Sequence, residues 1–124
     1  MDWEFTDDTP VYLQIMNQVK VRIATGILQP GEKIAPVREL AMEAGVNPNT
    51  MQKALAELER EGVLYSKRTS GRFVAENEKQ TQGLQQQMAA SQMENYLAAM
   101  QQLGYDSEQA VEELKEYVQK QEKG

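Results

Sequence analysis

The sequence predicts a mainly α-helical chain carrying one small β-hairpin, and three observations support that class. Apolar residues recur at helical spacing along most of the chain. Pro, Asn, Asp and Gly stand where those stretches begin and end. Only residues 63–67 and 72–75 have the composition of strands. At 124 residues the chain is about one domain long, and its 40 % hydrophobic share allows a small core.

The elements follow in order. Thr9 is suited to cap a first helix with Pro10 at its first position, and Val11, Ile15, Val19 and Ile23 then recur on one face beside Tyr12 and Met16. Gly26 ends this helix, and residues 27–31 make a turn. Pro36 starts a second helix whose Val37, Leu40, Ala41 and Ala44 face inward, and Gly45 stops it. Asn47 caps a third helix, with Pro48 at the first position, where a missing N–H costs nothing. Met51, Ala54, Leu55 and Leu58 line its inner face; Asn49, Gln52, Lys53 and Ala56 lie opposite, and Gly62 ends it.

Two short helices joined by a tight Gly-containing turn form a helix-turn-helix, whose second helix is the usual recognition element. The hairpin that follows, turning through Arg68, Thr69, Ser70 and Gly71, would be its wing. Residues 1–76 are accordingly a winged helix-turn-helix domain, and residues 77–124 a helical tail. The tail opens with a Gln-rich stretch containing Gly83, which fits a hinge or a frayed helix start. Leu84, Met88, Ser91, Tyr96, Leu97, Met100 and Leu103 then suggest one helix, stopped by Gly104. Asp106 to Gln109 resemble a capping box ahead of a second stripe through Ala110, Val111, Leu114, Tyr117 and Val118. These apolar faces are too thin for an independent core, so they need the first domain or a second copy. The second copy makes this a two-helix dimerisation hairpin, with contacts from Tyr96, Leu97, Met100, Leu103, Val111, Leu114, Tyr117 and Val118. Met88, Met93, Met100, Tyr96, Tyr105 and Tyr117 read as packing residues, or as the lining of a pocket at a dimer interface.

Composition removes most other chemistry. The chain has no Cys and no His, so disulfides, thiolate metal sites, the commonest general base and the commonest metal ligand all go together. Glu108, Glu112, Glu113 and Glu116 look like a solvated helix face and a poor transition-metal site. The sequence implies neither an enzyme nor a cofactor. No apolar run approaches a membrane span, and the acidic start lacks a signal-peptide core, which points to the cytoplasm. The net charge of −6 is unevenly spread: seven Lys/Arg and five acids fall between Lys33 and Arg72, and fourteen acids against six basic residues fall elsewhere. The middle is weakly basic, and binding depends on the local field.

That middle stretch carries what DNA recognition needs. Asn49 and Gln52 suit the adenine edge, Lys53 suits guanine or phosphate, and Thr50 sits by the free N–H groups of a helix start. Arg38 stands at the front of the preceding helix, within reach of backbone or base. Lys67, Arg68 and Arg72 flank the wing turn, where Gly71 permits close backbone approach. Taken singly, Asn49, Gln52 and Lys53 also fit an ordinary solvated face, Arg38 a pair with Glu39 or Glu43, and Lys67 and Arg68 charges that protect a hairpin edge. Their coincidence on one winged helix-turn-helix favours double-stranded DNA. The rival outside that class is a protein-interaction adaptor built on the same fold, with the acidic tails as its partner surface.

The motifs also resemble a known family. Pro10-Val11-Tyr12-Leu13-Gln14-Ile15, Gly26 through Ile34, Val37-Arg38-Glu39-Leu40-Ala41, Val46 through Met51 and Gly71-Arg72-Phe73-Val74 together resemble the N-terminal domain of the GntR family. The Asn-Pro-Asn-Thr form and the short tail with Leu103-Gly104-Tyr105 are similar to its YtrA-like subfamily. The resemblance implies a homodimeric bacterial transcription factor, usually a repressor, on a two-fold symmetric operator, often near ABC transporter genes. It maps operator contacts to Arg38, Asn49, Thr50, Gln52 and Lys53, and the wing glycine to Gly71. This chain departs from the pattern at Pro48, where many members carry Arg; at Ala35-Pro36, in place of Pro-Ser; and at Thr69, in place of the first wing Gly. Neither the operator sequence nor an effector is legible.

Overall fold

Five helices and a two-stranded sheet make up the chain in a computed structural model that describes residues 2–123, with residues 78–81 described by their backbone alone. Two compact units divide it, one reaching Gln85 and the other starting at Gln86.

In the first unit, α1 (Val11–Ala24), α2 (Val37–Ala44) and α3 (Pro48–Arg60) precede β1 (Leu64–Lys67) and β2 (Gly71–Val74). Helix α3 is the hub against which α1, α2 and β1 all pack. Its Met51, Ala54, Leu55 and Leu58 are completely buried, spaced three and four residues apart as a helix face requires. Ile15, Val19 and Ile23 of α1, Leu40 and Ala41 of α2, and Leu64 and Val74 of the hairpin close the core around them. The α2–α3 corner is built as the sequence suggests. Gly45 is left-handed at φ 71°, and the Asn47 side chain accepts a hydrogen bond from the Asn49 N–H at 2.8 Å.

The first helix starts differently from the reading that gives Thr9 the cap. Pro10 flanks α1 and no side chain caps it. The Thr9 carbonyl instead accepts from the Gln14 side chain at 2.8 Å, because Gln14 is engaged with the segment before the helix. That segment is a strap the sequence did not announce. The amide of Gln14 exchanges two hydrogen bonds with the Thr6 backbone, at 2.8 and 2.9 Å, and the amide of Gln18 does the same with Glu4 at 3.2 and 2.6 Å. One turn apart on α1, the two amides act as strand-like partners for an extended chain. Trp3 then lies over the buried Arg22, whose guanidinium is 3.9 Å from the ring centroid and donates to the Asp2 carbonyl at 2.7 Å. Burial pushes the Arg22 guanidinium down from its ordinary value, and the charges of Glu43 and Asp2 act against that push.

The hairpin pairs Leu64 with Val74, Tyr65 with Phe73, Ser66 with Arg72 and Lys67 with Gly71. Strand alternation therefore puts Leu64, Val74, Ser66 and Arg72 on one face, and Tyr65 and Phe73 on the other. The first face meets α3. Leu64 and Val74 enter the core, while Ser66 and Arg72 both donate to Oε1 of Glu59, at 2.6 and 2.5 Å. Tyr65 and Phe73 stack at 5.6 Å on the outer face. β2 has a second neighbour: Lys33 pairs with Phe73, with the Val74 N–H donating to Glu32 and the Ile34 N–H to Arg72. Residues 32–34 are too short a run for strand patterning to reveal.

The helix α4 (Glu78–Gln102) is continuous through Gly83 and begins earlier than the Gln-rich composition suggests. One internal Gly costs about 1 kcal/mol, which a run of good helix formers absorbs. Leu84 packs against the core of the first unit. In the second unit, a turn with Gly104 at φ 96° leads to α5 (Ser107–Lys123). The capping box is present: the Gln109 N–H donates to Asp106 Oδ1 at 2.8 Å and the Asp106 N–H to Gln109 Oε1 at 2.9 Å. Tyr96 donates to the Ala110 carbonyl at 2.7 Å, and Ala110 is the buried residue of α5.

Two outcomes test this packing. Leu55→Ala should lower unfolding free energy by about 2–5 kcal/mol, measured by urea denaturation, because it opens a cavity under every element at once. The hydrogen bonds from Ser66 and then Arg72 hold the Glu59 carboxyl below its usual range, outweighing a small desolvation effect. A depressed folded-state pKa contributes stability that is present above the ordinary glutamate range and lost as pH falls toward the folded value. The stability difference between wild type and Glu59→Gln should therefore be largest near neutral pH and shrink on acidification from that range downward.

Candidate nucleic-acid interface

Burying one side of α3 completely fixes what its other side can do. Asn49, Gln52, Lys53, Ala56 and Arg60 form an exposed stripe, with Thr50 half-buried at its edge. Pro48 and the Asn47 cap start the helix, so Asn49 and Gln52 occupy its first turns, where a recognition helix presents side chains to a groove. Ala56 adds no bulk to the stripe. Arg38 is exposed in the first turn of α2.

The candidate residues differ in how free they are. Among the described residues, Arg38, Arg68, Lys33 and Lys67 make no ion pair. The acids of the middle stretch are largely spoken for: Glu57 by Arg60 at 3.4 Å, Glu59 by Arg72 and Glu61 by Lys20 at 2.7 Å. The weak positive excess read from the sequence is thus carried by unpaired cations, while three of the five carboxylates, Glu57, Glu59 and Glu61, are neutralised by ion pairs. Lys53 has its Nζ 4.0 Å from the Tyr12 ring centroid, and Lys67 has its own 4.8 Å from Phe73, which orients both chains without discharging them.

At the wing, Arg68 is exposed in the turn and Gly71 has φ 103°, a conformation that strains any residue with a Cβ. Arg72, expected as a phosphate contact, turns back toward α3. Its Nε binds Glu59, its Nη1 donates to Gln52 Oε1 at 3.2 Å, and its side chain is 18 % exposed. The first half of α3 and the wing are therefore adjoining parts of one surface. Two participants escaped the sequence reading. Lys33 is carried beside the wing by its pairing with Phe73, and its Cε lies 3.3 Å from where a Cβ on Gly71 would stand. Glu59 falls seven residues after Gln52, which places both on one helix face; that spacing was the available signal for its bracing role.

No group of acidic side chains among the described residues could hold a metal ion, and no described helix is long and apolar enough to cross a membrane.

Comparison with known proteins identifies the family. The model of the bacterial regulatory proteins of the gntR family matches residues 11–74. The HTH-type transcriptional regulator YhcF of Bacillus subtilis is 34 % identical over 119 residues, covering 96 % of this chain and 98 % of that protein. The transcriptional repressor YtrA of the same organism is 48 % identical over 73 residues, 59 % of this chain and 56 % of its own length. Among solved structures, a GntR family transcriptional regulator from Listeria monocytogenes superposes with a TM-score of 0.83 at 35 % identity, over 90 % of this chain and 98 % of that one. The DNA-binding domain of AraR in complex with operator ORR3 superposes with a TM-score of 0.52 at 35 % identity, over 60 % of this chain and 88 % of that one. The chain belongs to the GntR family, in its YtrA-like branch, and is a DNA-binding transcriptional regulator and not an enzyme.

Proposed function

We propose that this regulator is a cytoplasmic homodimeric repressor that occludes a promoter by binding a two-fold symmetric operator, in keeping with the repressor YtrA and the operator-bound AraR domain among its relatives. The observation that carries the reading is the joined surface of α3 and wing, where amide side chains stand on an exposed stripe beside cations that no carboxylate neutralises. Arg38, Asn49, Thr50, Gln52 and Lys53 read or grip the major groove, and Lys67 and Arg68 hold phosphate near Gly71. Arg72 serves this surface from behind, through Glu59 and Gln52. An ABC transporter operon is the proposed target class, on the strength of the subfamily assignment.

The homodimer is supported by the second unit. Its α5 leaves Val111, Leu114, Tyr117 and Val118 exposed on one stripe, Tyr117 by 62 %, and Leu103 before it is 73 % exposed. Such a face on a helical hairpin is normally covered by another chain. The pairing doubles the DNA-binding heads, which a two-fold operator requires. An effector would act only by binding two dimer geometries unequally.

Two measurements test the reading. Footprinting on DNA upstream of the protein's own gene should reveal a protected, roughly palindromic site at low salt, weakening steeply as salt rises because phosphate contacts release counterions. Arg38→Ala should lose about 1–3 kcal/mol there; absence of any protected site with a folded dimer would overturn the placing of an operator at the protein's own promoter. In sedimentation at micromolar concentration, Leu114→Glu combined with Tyr117→Glu should convert a dimer to a monomer. A variant that remains dimeric would move the interface off α5.

A further inference from the structure

The contact between Arg72 and Gln52 carries information about which base is read. A guanidinium only donates hydrogen bonds, so the Gln52 side chain must turn its amide oxygen toward Arg72 Nη1, 3.2 Å away, whichever way its two ends are assigned. The guanidinium cannot easily follow Gln52 elsewhere. Its Nε is held by Glu59 at 2.5 Å, and that same carboxylate oxygen accepts from Ser66, the residue paired across the strands with Arg72. Arg72 is mostly buried on the α3 side of the hairpin, so its position is set by the fold and not by the ligand.

Recognition of adenine by a glutamine needs both ends of the amide at the base edge, with the oxygen accepting from N6 and the NH2 donating to N7. With its oxygen turned to the wing, Gln52 offers the groove its NH2 donors. In the major groove the edge that presents two acceptors and no donor is that of guanine, through N7 and O6; thymine offers the single acceptor O4 beside its methyl group. We propose that Arg72 is a positioning residue that orients Gln52 to read guanine instead of adenine at one base pair of each half-site. The inference rests on the DNA-binding reading above and adds to it a determinant of specificity on the wing, outside the recognition helix. It assigns to Arg72 a role distinct from a phosphate contact, which would affect all sequences alike.

Selection of binding sites from a randomised duplex library by the full-length protein tests it. Gln52→Ala first identifies the base pair at which preference disappears. At that pair wild type should prefer guanine, and Arg72→Met should shift relative affinity toward adenine by about tenfold while preferences elsewhere in the site stay unchanged. Glu59→Gln loosens the guanidinium without removing it and should give a smaller shift in the same direction, so the test survives if Arg72→Met fails to fold. A wild-type preference for adenine at the Gln52 position would overturn the proposal. So would an Arg72→Met or Glu59→Gln protein that stays folded, keeps every base preference and only binds all sequences more weakly. Failure of wild type to select any sequence would instead overturn the DNA-binding reading, and this inference with it.

Discussion

Everything in the first unit depends on the complete burial of one face of α3. Met51, Ala54, Leu55 and Leu58 admit no solvent, and α1, α2 and β1 each reach the core by packing on that face. A helix so committed on one side has no freedom to rotate, because a turn of even one residue would expose leucines and bury Lys53 or Gln52. The constraint that stabilises the fold is therefore the one that aims the exposed stripe. Stability and presentation to a ligand are here two sides of one helix.

The wing obeys a similar logic at smaller scale. Two strands of four residues would be marginal alone, and three attachments hold them. Leu64 and Val74 sink into the core, Ser66 and Arg72 converge on Glu59, and residues 32–34 pair along the far side of β2. The last attachment also brings Lys33 to the base of the turn. A hairpin anchored on one face and one edge places the backbone of Arg68 and Gly71 with little conformational entropy left to lose on binding.

Much of this was legible in the residues, for identifiable reasons. Helix periodicity, the Asn47-Pro48 start and the left-handed glycines are local signals, and they located α1, α2, α3, the hairpin and the capping box before α5. What escaped was what depends on contacts between distant residues. Nothing near Gln14 and Gln18 in the sequence says that their amides will bind the backbone of residues 4 and 6, nor that Arg22, on an otherwise apolar face, will be buried beneath Trp3. Arg72 illustrates the same limit at the candidate site. A basic residue beside a wing turn suggests phosphate, yet strand register puts it on the inner face, where Glu59 and Gln52 occupy it. At Gly83 a local signal pointed toward a hinge and was outweighed by its helix-forming neighbours.

The strap over α1 bears on how long the protein survives. A buried guanidinium in the first unit has its charge offset by Glu43 and faced by a Trp3 ring and an Asp2 carbonyl, the last two supplied by the extended segment. Loss of residues 2 and 3 would remove those two partners and leave Glu43 alone to offset the buried guanidinium, which destabilises a domain this small. The lifetime of the DNA-binding unit in a cell is thus coupled to the integrity of residues far from any base it would touch. Proteolytic turnover could set the level of the regulator without altering the surface that reads the operator.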